Sequence, residues 1–152
     1  MKNGIQTNNF NISKPETFTS QRIFDFVVAR LAEQERPSLK EGYCAYRGQN
    51  SLKCAIGHLI PDELYNKLLK DGCDIDNDPS GEGVSISTLA KKKDLAYLQP
   101  FLGLLRDLQI AHDDARTVTE LRYYLYKAAN IHKLKSSLVG SIRNWKCEFF
   151  RF

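Results

Sequence analysis

The chain has 152 residues, 42% of them apolar and 26% charged, with a formal charge of +4. That suits one globular domain able to bury its own core. The polar, asparagine-rich start from Met1 to Ser13 lacks the apolar stretch of a signal peptide, and no run is apolar enough to span a bilayer. Secreted and membrane classes are therefore not expected, and Cys44, Cys54, Cys73 and Cys147 read as reduced thiols in a cytoplasm. The charge is polarised: residues 1–90 hold 10 Lys+Arg against 12 Asp+Glu, and residues 91–152 hold 12 against 6. A balance of −2 then +6 directs attention to anionic partners of the second part.

In chain order, residues 1–16 read as a tail without apolar period. From Thr17, the recurrence of Ile23, Phe24, Val27, Val28 and Leu31 predicts an amphipathic helix, capped by Thr17 or Thr19 and stopped near Glu35 by Pro37. A hairpin is expected between Tyr43 and Ala55, with Gly48-Gln49-Asn50-Ser51 as its turn. A helix should follow from Pro61, with Asp62 and Glu63 in its first turn and Gly72 as its stop. Cys73 to Gly83 is an acidic loop, and Val84 to Leu89 reads as a short strand or a helical turn.

Leu98, Phe101, Leu102, Leu105, Leu108 and His112 share one stripe, with Pro100 expected to start or kink that helix. Thr117-Val-Thr-Glu120 matches a capping box, and Leu121, Leu125, Ala128, Ala129 and His132 line the next helix. The short linker predicts antiparallel packing of these two helices. Residues 135–152 read as an appendage, with Leu138, Ile142, Trp145 and Phe149 at helical spacing and an ending equally compatible with strand. The expected fold is mainly α: a single compact domain of four or five helices over residues 17–134, with a small β-hairpin near 43–55.

Several constellations carry possible chemistry. Cys54 with His112 is the sharpest enzymatic idea, a thiolate beside a base. Asp113 follows His112 but is not expected to orient it, because adjacent helical residues do not face each other. Cys44, Cys54, His58 and Cys73 suit zinc by residue type, yet only Cys54 and His58, with three residues between them, have ligand spacing. A metal-free protein without cofactor is the plainer expectation. Asp74-Ile-Asp-Asn-Asp78 begins like a calcium loop but has Pro79 and Ser85 where that loop needs glycine and glutamate. His112 and His132 continue apolar stripes on neighbouring helices, where they either sit satisfied in the core or share a polar site.

The C-terminal part carries Arg116, Arg122, Lys127, Lys133, Lys135, Arg143, Lys146 and Arg151 among Tyr123, Tyr124, Tyr126 and Trp145. Cations neutralise phosphates while rings stack bases, so nucleotide or nucleic-acid binding is one reading and a basic solvent face the other. Arg47 and Lys53 are the further binding candidates. For Arg47 the competing role is a salt bridge that pins the hairpin.

The stretch Cys44-x-Tyr46-Arg47 with Lys53-Cys54-Ala55-Ile56-Gly57-His58-Leu59-Ile60-Pro61-Asp62, and then Leu108-Gln109-x-x-His112-Asp113, resembles a group of small phage, prophage and bacterial proteins. The likeness covers roughly residues 17–134, and no activity comes with it. It implies an accessory protein of the host-cell cytoplasm with a host-manipulating or anti-defence role. The leading expectation is a non-enzymatic binder of a host protein or anionic ligand, with self-association compatible with it. A nucleotide or nucleic-acid binder and a thiol enzyme using Cys54 and His112 are the alternatives.

Overall fold

A computed structural model describes residues 10–76 and 85–147. Among these residues, five α-helices and one two-stranded hairpin surround a continuous apolar core. The first helix, α1 (Ser20–Gln34), buries Ile23, Phe24, Val27, Val28 and Leu31 completely. Each such side chain contributes about 1.5–3 kcal/mol of burial. Thr19 caps it by accepting the Arg22 amide at 3.2 Å, and left-handed Glu35 (φ 65°) ends it before Pro37.

The hairpin lies earlier than Tyr43 to Ala55. Strand β1 (Leu39–Lys40) pairs antiparallel with β2 (Tyr43–Cys44), Leu39 opposite Cys44 and Lys40 opposite Tyr43. Glu41 and Gly42 have φ of 52° and 82°, the double left-handed turn that favours glycine in its second place and matches strand twist. Gly48 to Ser51, expected as the hairpin turn, is instead an irregular bend with Asn50 and Ser51 at φ 57° and 62°.

Helix α2 (Asp62–Lys70) starts after Pro61 and stops at Gly72, whose φ is +81°. The short α3 (Ile86–Leu89) shows that the region before Leu89 is a helical turn over its described part. Residues 77–84, which include most of the acidic loop, lie outside the described residues. Pro100 falls within the 3-10 segment Lys93–Phe101, just before α4 (Leu102–Asp114), and so neither begins nor bends that helix.

Thr117 caps α5 (Val118–Ile131) by accepting the Glu120 amide at 3.1 Å, while the Glu120 carboxylate reaches back to the Arg116 amide at 3.2 Å. His132, just past the end of α5, meets Asp107 in the middle of α4 at 2.7 Å, and its ring lies 3.4 Å from where a Cβ on Gly103, in the first turn of α4, would sit. The two helices are therefore antiparallel, as their short linker requires.

Residues 10–16 and 135–147, the described parts of the expected tail and appendage, both pack against the body. The Phe10 ring stacks on Phe18 at 4.8 Å and meets Phe26 at 4.9 Å, so residues 10–16 belong to the packed domain. Residues 135–147 form no α-helix; after the 3-10 turn Val139–Ser141 the chain runs irregularly along the body. Val139, Ile142 and Trp145 nevertheless enter the core, because their burial is organised by contacts to α5 and to Ala115 and needs no helix of their own. The strand alternative for the final residues concerns positions outside the described ones. No helix among the described residues is long and apolar enough to cross a membrane.

Candidate functional site

The two halves of the sequence pattern meet as one polar joint. Gln109 on α4 accepts the Ile56 amide at 3.3 Å and donates to Asp113 Oδ1 at 2.7 Å. The same Asp113 oxygen lies 2.7 Å from Nδ1 of His112. The fully buried His112 ring accepts the Ser38 amide on Nε2 at 2.8 Å and packs edge-on against Trp145. A backbone amide only donates, so Nε2 must be the acceptor and Nδ1 carries the hydrogen given to Asp113. Asp113 thus does orient His112, contrary to the helical-spacing argument. Nδ1 is the ring nitrogen nearest the backbone and sits within reach of a short neighbouring carboxylate.

His112 makes no catalytic pair with Cys54 in this arrangement. Both imidazole nitrogens are engaged elsewhere, and Cys54 is 1% exposed. Its sulfur accepts the Gly57 amide at 3.3 Å. Burial, reinforced by the Asp113 charge, pushes the thiol up to about 12, which suppresses the nucleophilic thiolate. Cys54 also borders a cleft of about 240 Å³ with Cys44, Gln109 and Asp113. Its near-zero exposure shows that the sulfur does not open into that cleft. Gly57 is required beside it, since a Cβ there would collide with the Tyr46 carbonyl oxygen.

The four residues considered for zinc take separate roles. Cys44 is exposed on β2, Cys54 is in the core, Cys73 is half-buried after α2, and His58 donates to Gln34 Oε1 across 3.1 Å. Burial, aided by the positive charge of Lys53, pushes His58 down to about 3. Among the described residues the ligand-bearing side chains that do converge are Cys44, His112 and Asp113, with donor atoms within 4.8 Å of one another. The Ser38 amide opposes a metal there: a metal on Nδ1 would move the ring hydrogen to Nε2, against another N–H. His112 and His132 share no site, since His132 is bound to Asp107.

Arg47 is built into the scaffold. Its guanidinium donates to the carbonyls of Gly57 at 2.7 Å and Ile60 at 2.6 Å, meets Asp62 at 3.1 Å, and lies 4.7 Å over the Tyr65 ring. Lys53 also pairs with Asp62, at 3.2 Å. Partial burial works upward on Asp62, but the Lys53 ammonium and the Arg47 guanidinium outweigh it and hold its carboxyl below the usual range. Asp76, read as part of a calcium-like loop, is an anchor. Its oxygens accept from the Tyr46 amide at 2.7 Å, the Arg47 amide at 3.1 Å and the Tyr65 hydroxyl at 2.7 Å.

Among the described residues the C-terminal cations take separate places, and Arg151 lies outside the described residues. Arg122 is turned onto the Ile142 carbonyl, and Trp145 donates its indole N–H to Ala115 at 2.9 Å. Lys135 lies near Gln21 and Asp25 of α1, and the Lys146 amide bonds to Glu35 at the other end of that helix. Arg116 lines a cleft with Cys44, Asp113, Asp114 and Tyr124, beside both signs of charge. Arg143 and Lys133 are exposed. What stays open is the outer face of α5, where Tyr123 is 60% and Tyr126 45% exposed, followed by Ile131 at 55%. Lys127 belongs to the same exposed face, and no Asp or Glu occurs from Leu121 to Cys147.

Ser38 and Gln34 were not singled out from the sequence, and Asp76 only as part of a calcium-like loop. Their roles depend on partners at long range, which no local spacing reveals. The Tyr123–Tyr126 face carries a local signal: it lies opposite the Leu121, Leu125, Ala128 stripe on a helical projection. Compared with known proteins, the chain matches no protein-family model, no curated protein and no solved structure.

Proposed function

We propose that this chain is a non-enzymatic binding protein that captures a bacterial host protein by stoichiometric occlusion, through the solvent face of α5. The observation that carries the reading is the exposure of Tyr123 and Tyr126 on one helical face, 60% and 45%, with Ile131 at 55% close behind. Large rings left in water are a typical anchor of protein interfaces, where tyrosine brings much contact area for little side-chain entropy. The dispersal of Arg122, Lys135 and Lys146 to three separate places favours a protein partner over a nucleic-acid strand, which needs a continuous basic track. The resemblance to small phage and prophage proteins expected from the sequence pattern, if it holds, implies a target in the bacterial cytoplasm and an anti-defence role.

The test is site-specific photocrosslinking in bacterial cells, with a benzoyl-phenylalanine at Tyr126 or, as control, at exposed Lys70 on α2. One discrete adduct from Tyr126, absent from Lys70 and lost in the Y123A variant, is the expected outcome. Equal patterns from both positions, or none from Tyr126, remove the reading.

A further inference from the structure

A small recess forms where the end of α1, the bend after Gly48 and the C-terminal segment meet. It has a volume of about 60 Å³ and is lined by Arg36, Pro37, Leu39, Gln49, Asn50, Leu52 and Lys146. Two cations separated by most of the chain face this one recess, and among the described residues no carboxylate lines it. Their convergence is imposed by the fold: the Lys146 amide is tied to the Glu35 carbonyl at 3.0 Å, which places Lys146 beside Arg36. Among the described residues neither Arg36 nor Lys146 is in an ion pair; the pairs found involve Arg30, Arg47, Lys53, Lys67 and the histidines. Like charges brought together without a counter-charge repel, and an anion seated between them converts that repulsion into attraction.

We infer that this recess binds a phosphomonoester dianion, with Arg36 and Lys146 as its charged clamp and the Gln49 and Asn50 amides as neutral donors. The planar guanidinium suits two phosphate oxygens at once, and the ammonium serves as a point charge on a third. The small size of the recess suits a phosphoryl group better than a sugar or base. The organic part of the ester therefore lies outside, and the recess reads charge and shape. Asn50 holds a left-handed backbone (φ 57°), which glycine adopts freely, so its side chain can be removed without straining the bend. This site is independent of the α5 face: it involves different elements and a different ligand chemistry.

Phosphorus NMR of the full chain with inorganic phosphate, glycerol 3-phosphate and AMP, at low and raised chloride, tests the assignment. All three should show exchange broadening that is relieved by chloride. R36Q and K146Q should each weaken binding about tenfold or more, and N50G by less. Both cationic side chains are exposed and the Lys146 tie to Glu35 uses its backbone, so these variants keep the fold, as circular dichroism checks. Binding of AMP without glycerol 3-phosphate or inorganic phosphate would place recognition on the nucleoside and overturn the assignment. Broadening unchanged in both R36Q and K146Q, or absent for all three ligands, would overturn it as well.

Discussion

The amide of Ser38 and the imidazole of His112 are 74 residues apart in sequence and 2.8 Å apart in space. Through this bond, the approach to the hairpin is fastened to α4 at a point where both groups are fully buried. Neither has water to fall back on, so each needs the other. Replacing His112 by Phe keeps a ring against Trp145 but orphans the Ser38 N–H and releases Asp113. The expected cost is about 1–3 kcal/mol for the unsatisfied amide, read as a lower urea midpoint with unchanged slope.

His58 sets a pH dependence whose sign is fixed by its burial. In the folded chain its pKa is pushed down to about 3, against 6.5 for the free side chain. Between these values the unfolded chain binds a proton that the folded chain refuses, so stability falls as pH drops below 6.5. The slope approaches about 1.4 kcal/mol per pH unit until the folded form itself titrates. Asp62, with its carboxyl held low by Lys53 and Arg47, adds to the loss at still lower pH. Urea titrations at several pH values should show this slope, and H58Q, whose amide can still donate to Gln34, should flatten it.

Thiol labelling separates the cysteines by depth. Cys44 is exposed and Cys54 is sealed with its thiol pushed up to about 12. A disulfide reagent near neutral pH should modify Cys44 in the folded chain and reach Cys54 only at the rate of unfolding. Rapid modification of Cys54 in a C44S variant would show that the core around it opens.

Arg47 is expected to matter for folding more than for recognition. Its guanidinium serves the carbonyls of Gly57 and Ile60 from a side chain only 15% exposed. R47K retains the charge but not the forked geometry, so it should lose at least about 1 kcal/mol of stability. R47A, which takes the guanidinium from the Ile60 carbonyl and leaves the Gly57 carbonyl with the 3.3 Å bond from the Ile60 amide, should lose more. Equal stability of R47K and the parent chain in urea would show that the fork is dispensable.

Much of the architecture was readable from local pattern. The stripes of α1 and α5 repeat at helical spacing, and Thr19 and Thr117 cap where capping chemistry predicts. The hairpin was misplaced because Gly48 to Ser51 has turn composition, whereas Glu41-Gly42 carries only one glycine to mark the tighter turn. The last segment misled for a different reason. Ile142 and Trp145 are spaced like a helical face, but what buries them is Arg122 holding the Ile142 carbonyl and Ala115 receiving the indole. The site residues follow the same division. Tyr123 and Tyr126 lie on a face that projection reveals, while the meeting of Arg36 with Lys146 depends on a crossing that no spacing encodes.

Trp145 is the chain's single tryptophan, and from the stretch that follows α5 it packs on His112 of α4 and bonds to the Ala115 carbonyl just past that helix. Ultraviolet emission from this protein is therefore a local signal, sensitive to whether that one seam is shut. A red-shift that precedes loss of helical ellipticity on warming would mean the seam parts first, with the recess beside Lys146 opening along with it.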